Sequence, residues 1–225
     1  MTIVKKLTSA CVALFVVIGG WNLEASIVST TGPVLIISAP ASVLPGASVS
    51  TTDAQVFSER QNLTLTSALP VDAISPGTYP AVGPGGKIPT GTDVNSYFVL
   101  FDSGGASVAY PTVMLTFSTQ ILGVIFSDST LNGSDAILGN SSTKYPTGVS
   151  ARGQDPGTGD STTISGSGLT VTLTDGTSLP GDDIRIITAA QSASSVPEAE
   201  PWSLLSTGVT VLAVLRRRAN PGHNR

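Results

Sequence analysis

The stretch Leu169–Gly176, LTVTLTDG, decides the fold class. Leu169, Val171 and Leu173 alternate with Thr170, Thr172 and Thr174, and Asp175-Gly176 closes the run with a turn signal. Successive side chains of a strand point to opposite faces, so this spelling puts aliphatic groups on one face and hydroxyls on the other. The same period recurs on either side. Val113, Leu115 and Phe117 stand among Thr112, Thr116 and Ser118; Leu63 and Leu65 stand among Asn62, Thr64 and Thr66; Ile184 and Ile186 flank Arg185. Half-buried strands of antiparallel sheets read this way. Tyr97–Phe101 and Ile121–Phe126 are continuous apolar runs instead, as expected of central strands covered on both faces.

Turn chemistry separates the runs at Ser103-Gly104-Gly105, Asp155-Pro156-Gly157 and Pro180-Gly181. The Pro- and Gly-rich segment Val71–Gly91 predicts a long irregular connection. One short helix is expected, with Ser134 capping a turn through Asp135–Leu138 that ends at Gly139. These readings together predict an all-β chain: a single antiparallel β-sandwich or jelly-roll-like domain over residues 26–190.

The charge distribution agrees. Residues 26–195 hold five basic and twelve acidic side chains, a net charge of −7, and eleven of the acids are Asp, with Glu59 the single Glu. Asp favours turns and caps where Glu favours helix interiors. An acidic body with scattered cations offers no footprint for nucleic acid. The chain's one cysteine, Cys11, lies in the N-terminal apolar run, so residues 26–190 hold no disulfide or thiolate ligand and the fold must rely on its core.

The two ends follow a different logic. Lys5-Lys6 and the apolar run Leu7–Gly20 read as a secretory signal helix, with cleavage expected near Ala25 and a signal peptide over residues 1–25. Residues 191–201 read as a linker. Within it Val196-Pro197-Glu198 leads to Trp202, an apolar span to Leu215, and Arg216-Arg217-Arg218. About 14 apolar residues make a helix of about 21 Å, short for a bilayer core of about 30 Å, and flanking arginines extend its usable length by snorkelling. The segment 202–218 is therefore expected as a short transmembrane helix with Trp202 at the outer interface and the arginines cytoplasmic, followed by a tail over 219–225.

A Pro-Glu motif, a short apolar span and an Arg cluster near the chain's end together resemble the PEP-CTERM sorting tails of Gram-negative and related bacteria. Ala199 stands where that family usually has a second proline. The resemblance implies processing by a membrane-embedded exosortase near Val196, Pro197 and Glu198, transient residence in the inner membrane, and release to the cell surface or an exopolysaccharide matrix. Leu131–Asp135, Tyr145–Gly148 and Asp183–Ile187, among other stretches, also resemble a recurring ectodomain of PEP-CTERM proteins; this supports a domain over 26–190 and implies no activity.

Catalytic equipment is sparse. His223, the single histidine, lies beyond the arginines, which excludes a Ser-His-Asp triad or a His-based metal site in the body. Carboxylates remain. Asp128 and Asp135 are the acid pair to weigh for glycosidic hydrolysis, against capping turns and pairing with Arg152, and the latter is the expected role. No cofactor and no metal centre is expected, although Asp155, Asp160, Asp182 and Asp183 could offer oxygen ligands to Ca2+; they lack the alternation and glutamate of a calcium loop. Trp21 and Trp202 both fall outside the body, so sugar stacking would rest on Tyr79, Tyr97, Tyr110 or Tyr145. The expected function is that of a non-enzymatic exported surface or matrix protein, structural or polysaccharide-associated. The alternatives are a carboxylate-based glycan hydrolase and an adhesin or assembly subunit that uses sheet edges.

Overall fold

A computed structural model describes residues 26–80, 85–106, 108–155, 158–176 and 181–191. The expected signal helix, Pro-Glu motif and transmembrane helix all lie outside these residues. Among the described residues no helix is long and apolar enough to cross a membrane.

In chain order the strands are β1 (Ile27–Thr31), β2 (Val34–Ile36), β3 (Ala54–Ser58), β4 (Leu63–Thr64), β5 (Leu69–Val71), β6 (Gly77–Tyr79), β7 (Gly86–Ile88), β8 (Asp93–Phe101), β9 (Ala109–Phe117) and β10 (Ile121–Ile125). The helix α1 (Asp128–Leu138) follows, then β11 (Ser161–Ile164), β12 (Thr170–Gly176) and β13 (Asp182–Ala189). One sheet runs β1-β9-β12-β11-β6 and the second runs β10-β13-β8-β3-β2, with β4 also on β8; β5 and β7 form a separate pair. Among the described residues the chain is all-β apart from α1.

The two kinds of sequence run sort into the two sheets. In the first, Val113, Leu115, Phe117, Ile164, Val171 and Leu173 enter the main core. The intervening threonines face out and pair across strands, Thr112 with Thr174 at 3.2 Å, Thr116 with Thr170 at 3.1 Å and Thr78 with Thr163 at 2.9 Å. Such cross-strand pairs each add a few tenths of a kcal/mol, up to about 1. The second sheet is covered on both faces. Tyr97, Val99, Phe101, Ile184 and Ile186 meet the first sheet in the main core. On the other side Phe98 and Leu100 pack with Val43 and Phe57, while Val94, Ile125 and Ile187 pack with Leu131 and Leu138 of α1. A strand covered on both faces has no solvent face to spell, which is why β8 and β10 read as unbroken apolar runs.

Several expectations are corrected. The pairing is not wholly antiparallel, because β2 runs parallel to β3. β10 is an edge strand of its sheet, joined by an isolated bridge between Ala73 and Val124 and packed against β5 and β7 rather than flanked by ladder strands on both sides. The segment Val71–Gly91 contains β6 and β7 and so is not one irregular connection. The helix is a full eleven residues and begins six residues before Ser134. Its buried positions, Leu131, Ser134, Asp135 and Leu138, keep helical spacing, but two are polar, so the stripe is not legible as amphipathic. Gly139 does end it, donating its N–H to the Asp135 carbonyl at 2.9 Å. Arg185 is buried rather than solvent-facing, as β13 is covered on both sides.

Candidate functional site

Two polar constellations stand out, one behind the second sheet and one at the end of the main core. The first is built around α1. Its N-cap, Ser127, makes no side-chain capping bond. Instead the Asp72 carboxylate reaches in from the chain after β5 and accepts from the N–H groups of Phe126 and Ser127 at 2.7 and 2.8 Å and from the hydroxyls of Ser127 and Thr130 at 2.8 and 3.0 Å. Helix N-termini need such acceptors, and a carboxylate also complements the helix dipole. Asp128, in the first turn, accepts from the backbone N–H groups of Ala151, Arg152 and Gly153 at 2.7–2.9 Å. The loop lies so close that a Cβ on Gly153 would meet the Phe126 carbonyl oxygen at 2.1 Å.

That loop delivers Arg152 into the interior. Its guanidinium bonds Asp135 at 2.7 Å, Asp183 at 2.9 Å and the Asn132 side-chain oxygen at 3.0 Å. Arg185 bonds Glu59 through Nε at 2.7 Å and Nη2 at 2.8 Å, reaches Asp135 at 3.1 Å, and donates to the Ser134 hydroxyl. It also lies over the rings of Phe98 and Tyr145, 5.2 and 5.4 Å from their centres. Two guanidiniums thus meet three carboxylates in a buried network. Burial pushes the Asp183 carboxyl up to about 7, against the opposing pull of Arg152. Burial, then the charge of Glu59, raises the Tyr145 hydroxyl well above its usual range.

Asp128 and Asp135 are therefore both engaged, one with backbone amides and the other with two arginines and the Thr147 hydroxyl at 2.6 Å. A groove of about 360 Å3 opens beside them, lined by Arg60, Asn132, Asp135, Asn140, Tyr145 and Thr147 among others. Of the four tyrosines considered for sugar stacking, Tyr145 lines this groove, Tyr79 and Tyr97 are buried in the core, and the Tyr110 side chain lies outside the described groups.

The second constellation holds two of the four candidate calcium ligands and one residue that sequence reasoning missed. Carboxylate oxygens of Asp160, Asp175 and Asp182 all lie within 4.8 Å of one another, and all three residues are buried. Asp183 is not among them. Adjacent residues of a strand face opposite ways, so Asp182, paired with Phe101, points to the inter-sheet side while Asp183 points to Arg152. Asp155 takes part through its backbone N–H, which donates to Asp160 at 3.0 Å. Asp175 continues the Leu169–Leu173 alternation to the place where a core residue would stand, and that continuation is the signal that could have found it. Burial raises both Asp175 and Asp182, and the neighbouring acids make Asp182 the more strongly protonated of the two.

The sorting candidates Val196, Pro197 and Glu198 and the topology candidates Trp202, Arg216, Arg217 and Arg218 lie outside the described residues. No family model, curated protein or solved structure matches the chain.

Proposed function

We propose that this chain is a non-enzymatic exported protein of the cell surface or extracellular matrix, and that the groove beside α1 holds polysaccharide. One observation carries the choice of binding over hydrolysis. The carboxylate lining the groove, Asp135, is held by two arginines and accepts from the Thr147 hydroxyl, so its oxygens are taken up in bonds within the protein rather than presented to a glycosidic oxygen. Around it lie amide and hydroxyl groups and the Tyr145 ring, which suit sugar hydroxyls and a sugar face. The two-sheet architecture is read as a β-sandwich. Export, exosortase processing at Val196-Pro197-Glu198 and passage through the inner membrane rest on the residues of the two ends and their resemblance to sorting tails.

Binding of the full chain to exopolysaccharide from the producing cell, followed by affinity electrophoresis, tests the reading. Retardation that weakens about tenfold or more in Tyr145→Ala supports it. Turnover of a glycan, abolished by Asp135→Asn or Asp128→Asn, would replace it with the hydrolase.

A second reading, an adhesin or assembly subunit, draws on the edges. β1 and β2 each border a sheet and leave Val28, Leu35 and Ile36 half or more exposed. Unprotected apolar edges invite strand addition. Concentration-dependent association, lost in a Leu35→Lys variant, would favour it.

A further inference from the structure

We propose that Asp160, Asp175 and Asp182 bind one Ca2+ ion, which clips the two sheets together where the chain passes from β12 to β13. Three observations converge on this. The first is geometric. Oxygens that lie within 4.8 Å of one another fit inside a calcium coordination sphere, whose diameter is about 4.6–5.2 Å, and the donors are all hard oxygens. Mg2+ demands a tighter octahedron and keeps its waters, which a buried carboxylate cage does not favour.

The second is a matter of satisfaction. Asp175 is 2% exposed, and neither of its carboxylate oxygens accepts from an N–H or an alcohol hydroxyl; its polar neighbour is the Asp182 carboxyl, another acid. An unpartnered buried carboxylate is costly, and buried charges are ordinarily paired or hold a metal. The ion pairs among the described residues all belong to Arg152 and Arg185, and none reaches Asp175 or Asp182. The side chain is aimed at the other two carboxylates, where a cation would offset the repulsion among the three.

The third is topological. β12 ends at Gly176 in one sheet and β13 begins at Asp182 in the other, with Asp160 just ahead of β11. Backbone approach is close here, since a Cβ on Gly181, at φ +103°, would meet the Phe101 carbonyl oxygen at 2.4 Å. Ligands from both sheets meet here. Residues 26–190 contain no cysteine, so a metal ion is the cross-link open to them.

The test uses the full chain, stripped with chelator. Equilibrium dialysis against radioactive Ca2+ should find one ion per chain, with a dissociation constant below roughly 1 mM. At ten times that constant the thermal midpoint should rise by roughly 3–6 °C. Asp175→Asn and Asp182→Asn should each lose the bound ion and the shift; Asn keeps the shape and removes the repulsion, and either variant alone is decisive if the other fails to fold. Asp93→Asn, on an exposed carboxylate at the far end of β8, should keep both. No binding up to about 10 mM, retained binding in both variants, or Mg2+ bound as tightly as Ca2+ would overturn the assignment. In the first of those cases a proton shared between Asp175 and Asp182 takes the ion's place.

Discussion

Arg185 and Glu59 form a bidentate ion pair in which both side chains are fully buried, 126 residues apart in sequence, with Nε 2.7 Å from one carboxylate oxygen and Nη2 2.8 Å from the other. Glu59 is the one glutamate of the body, and it also accepts from the Ser96 hydroxyl at 2.5 Å. The pair joins the end of β3 to the middle of β13 across β8, beneath α1.

Removing one partner leaves a buried charge with nothing opposite it. Glu59→Gln or Arg185→Met should each destabilise the fold by about 3–5 kcal/mol in urea unfolding, and the double variant should be less destabilised than the sum of the two. Additive losses would show that the two residues act separately.

The Asp72 carboxylate anchors the chain at its entry to α1, where the Ser127 side chain makes no cap bond. Asp72→Ala should cost about 1–3 kcal/mol, by freeing the N–H groups of Phe126 and Ser127 together. Asp72→Asn keeps an acceptor and should lose less. Equal losses in the two variants would mean that the carboxylate's hydrogen bonds are not what holds the helix start.

Tyr145 stays protonated in the folded chain above its ordinary range, chiefly through burial. A group whose folded pKa is raised binds its proton in the folded state after the unfolded chain has released it. Its contribution is therefore complete below about pH 10, the unfolded value, and falls as pH rises beyond it. Thermal midpoints measured from pH 9 to pH 11 should decline less steeply in Tyr145→Phe than in the parent chain; parallel profiles would contradict the raised value.

Processing at Val196-Pro197-Glu198 is expected to remove the tail. Intact-mass measurement on protein recovered from the surface of the producing cell should find Arg216–Arg225 absent. A mature form that retains those residues would leave a plain tail anchor in its place.

Circular dichroism of the folded chain should be dominated by strand, because α1 is the one helix among the described residues. Helix above about a third of the signal, the ordinary globular share, would contradict the fold.

The strand content was legible in the sequence because each strand's environment is written in its own period. β9 and β12 alternate because one face meets the core and the other meets water; β8 does not alternate because neither face meets water. Local turn residues marked the break between β8 and β9 and the entries to β11 and β13. The sequence also favoured capping and pairing with Arg152 over catalysis for Asp128 and Asp135, and the structure divides those roles between them. What it did not disclose lies where polar residues occupy buried positions. Ser134 and Asp135 broke the apolar stripe of α1, Arg185 imitated an exposed strand residue, and Asp175 imitated a turn. A local reading takes a charged side chain to face solvent, since burying it alone is prohibitively costly. Only the tertiary structure brings Glu59 to Arg185, or Asp160 and Asp182 to Asp175, and the partner that makes burial tolerable comes from a strand or loop that no local pattern specifies.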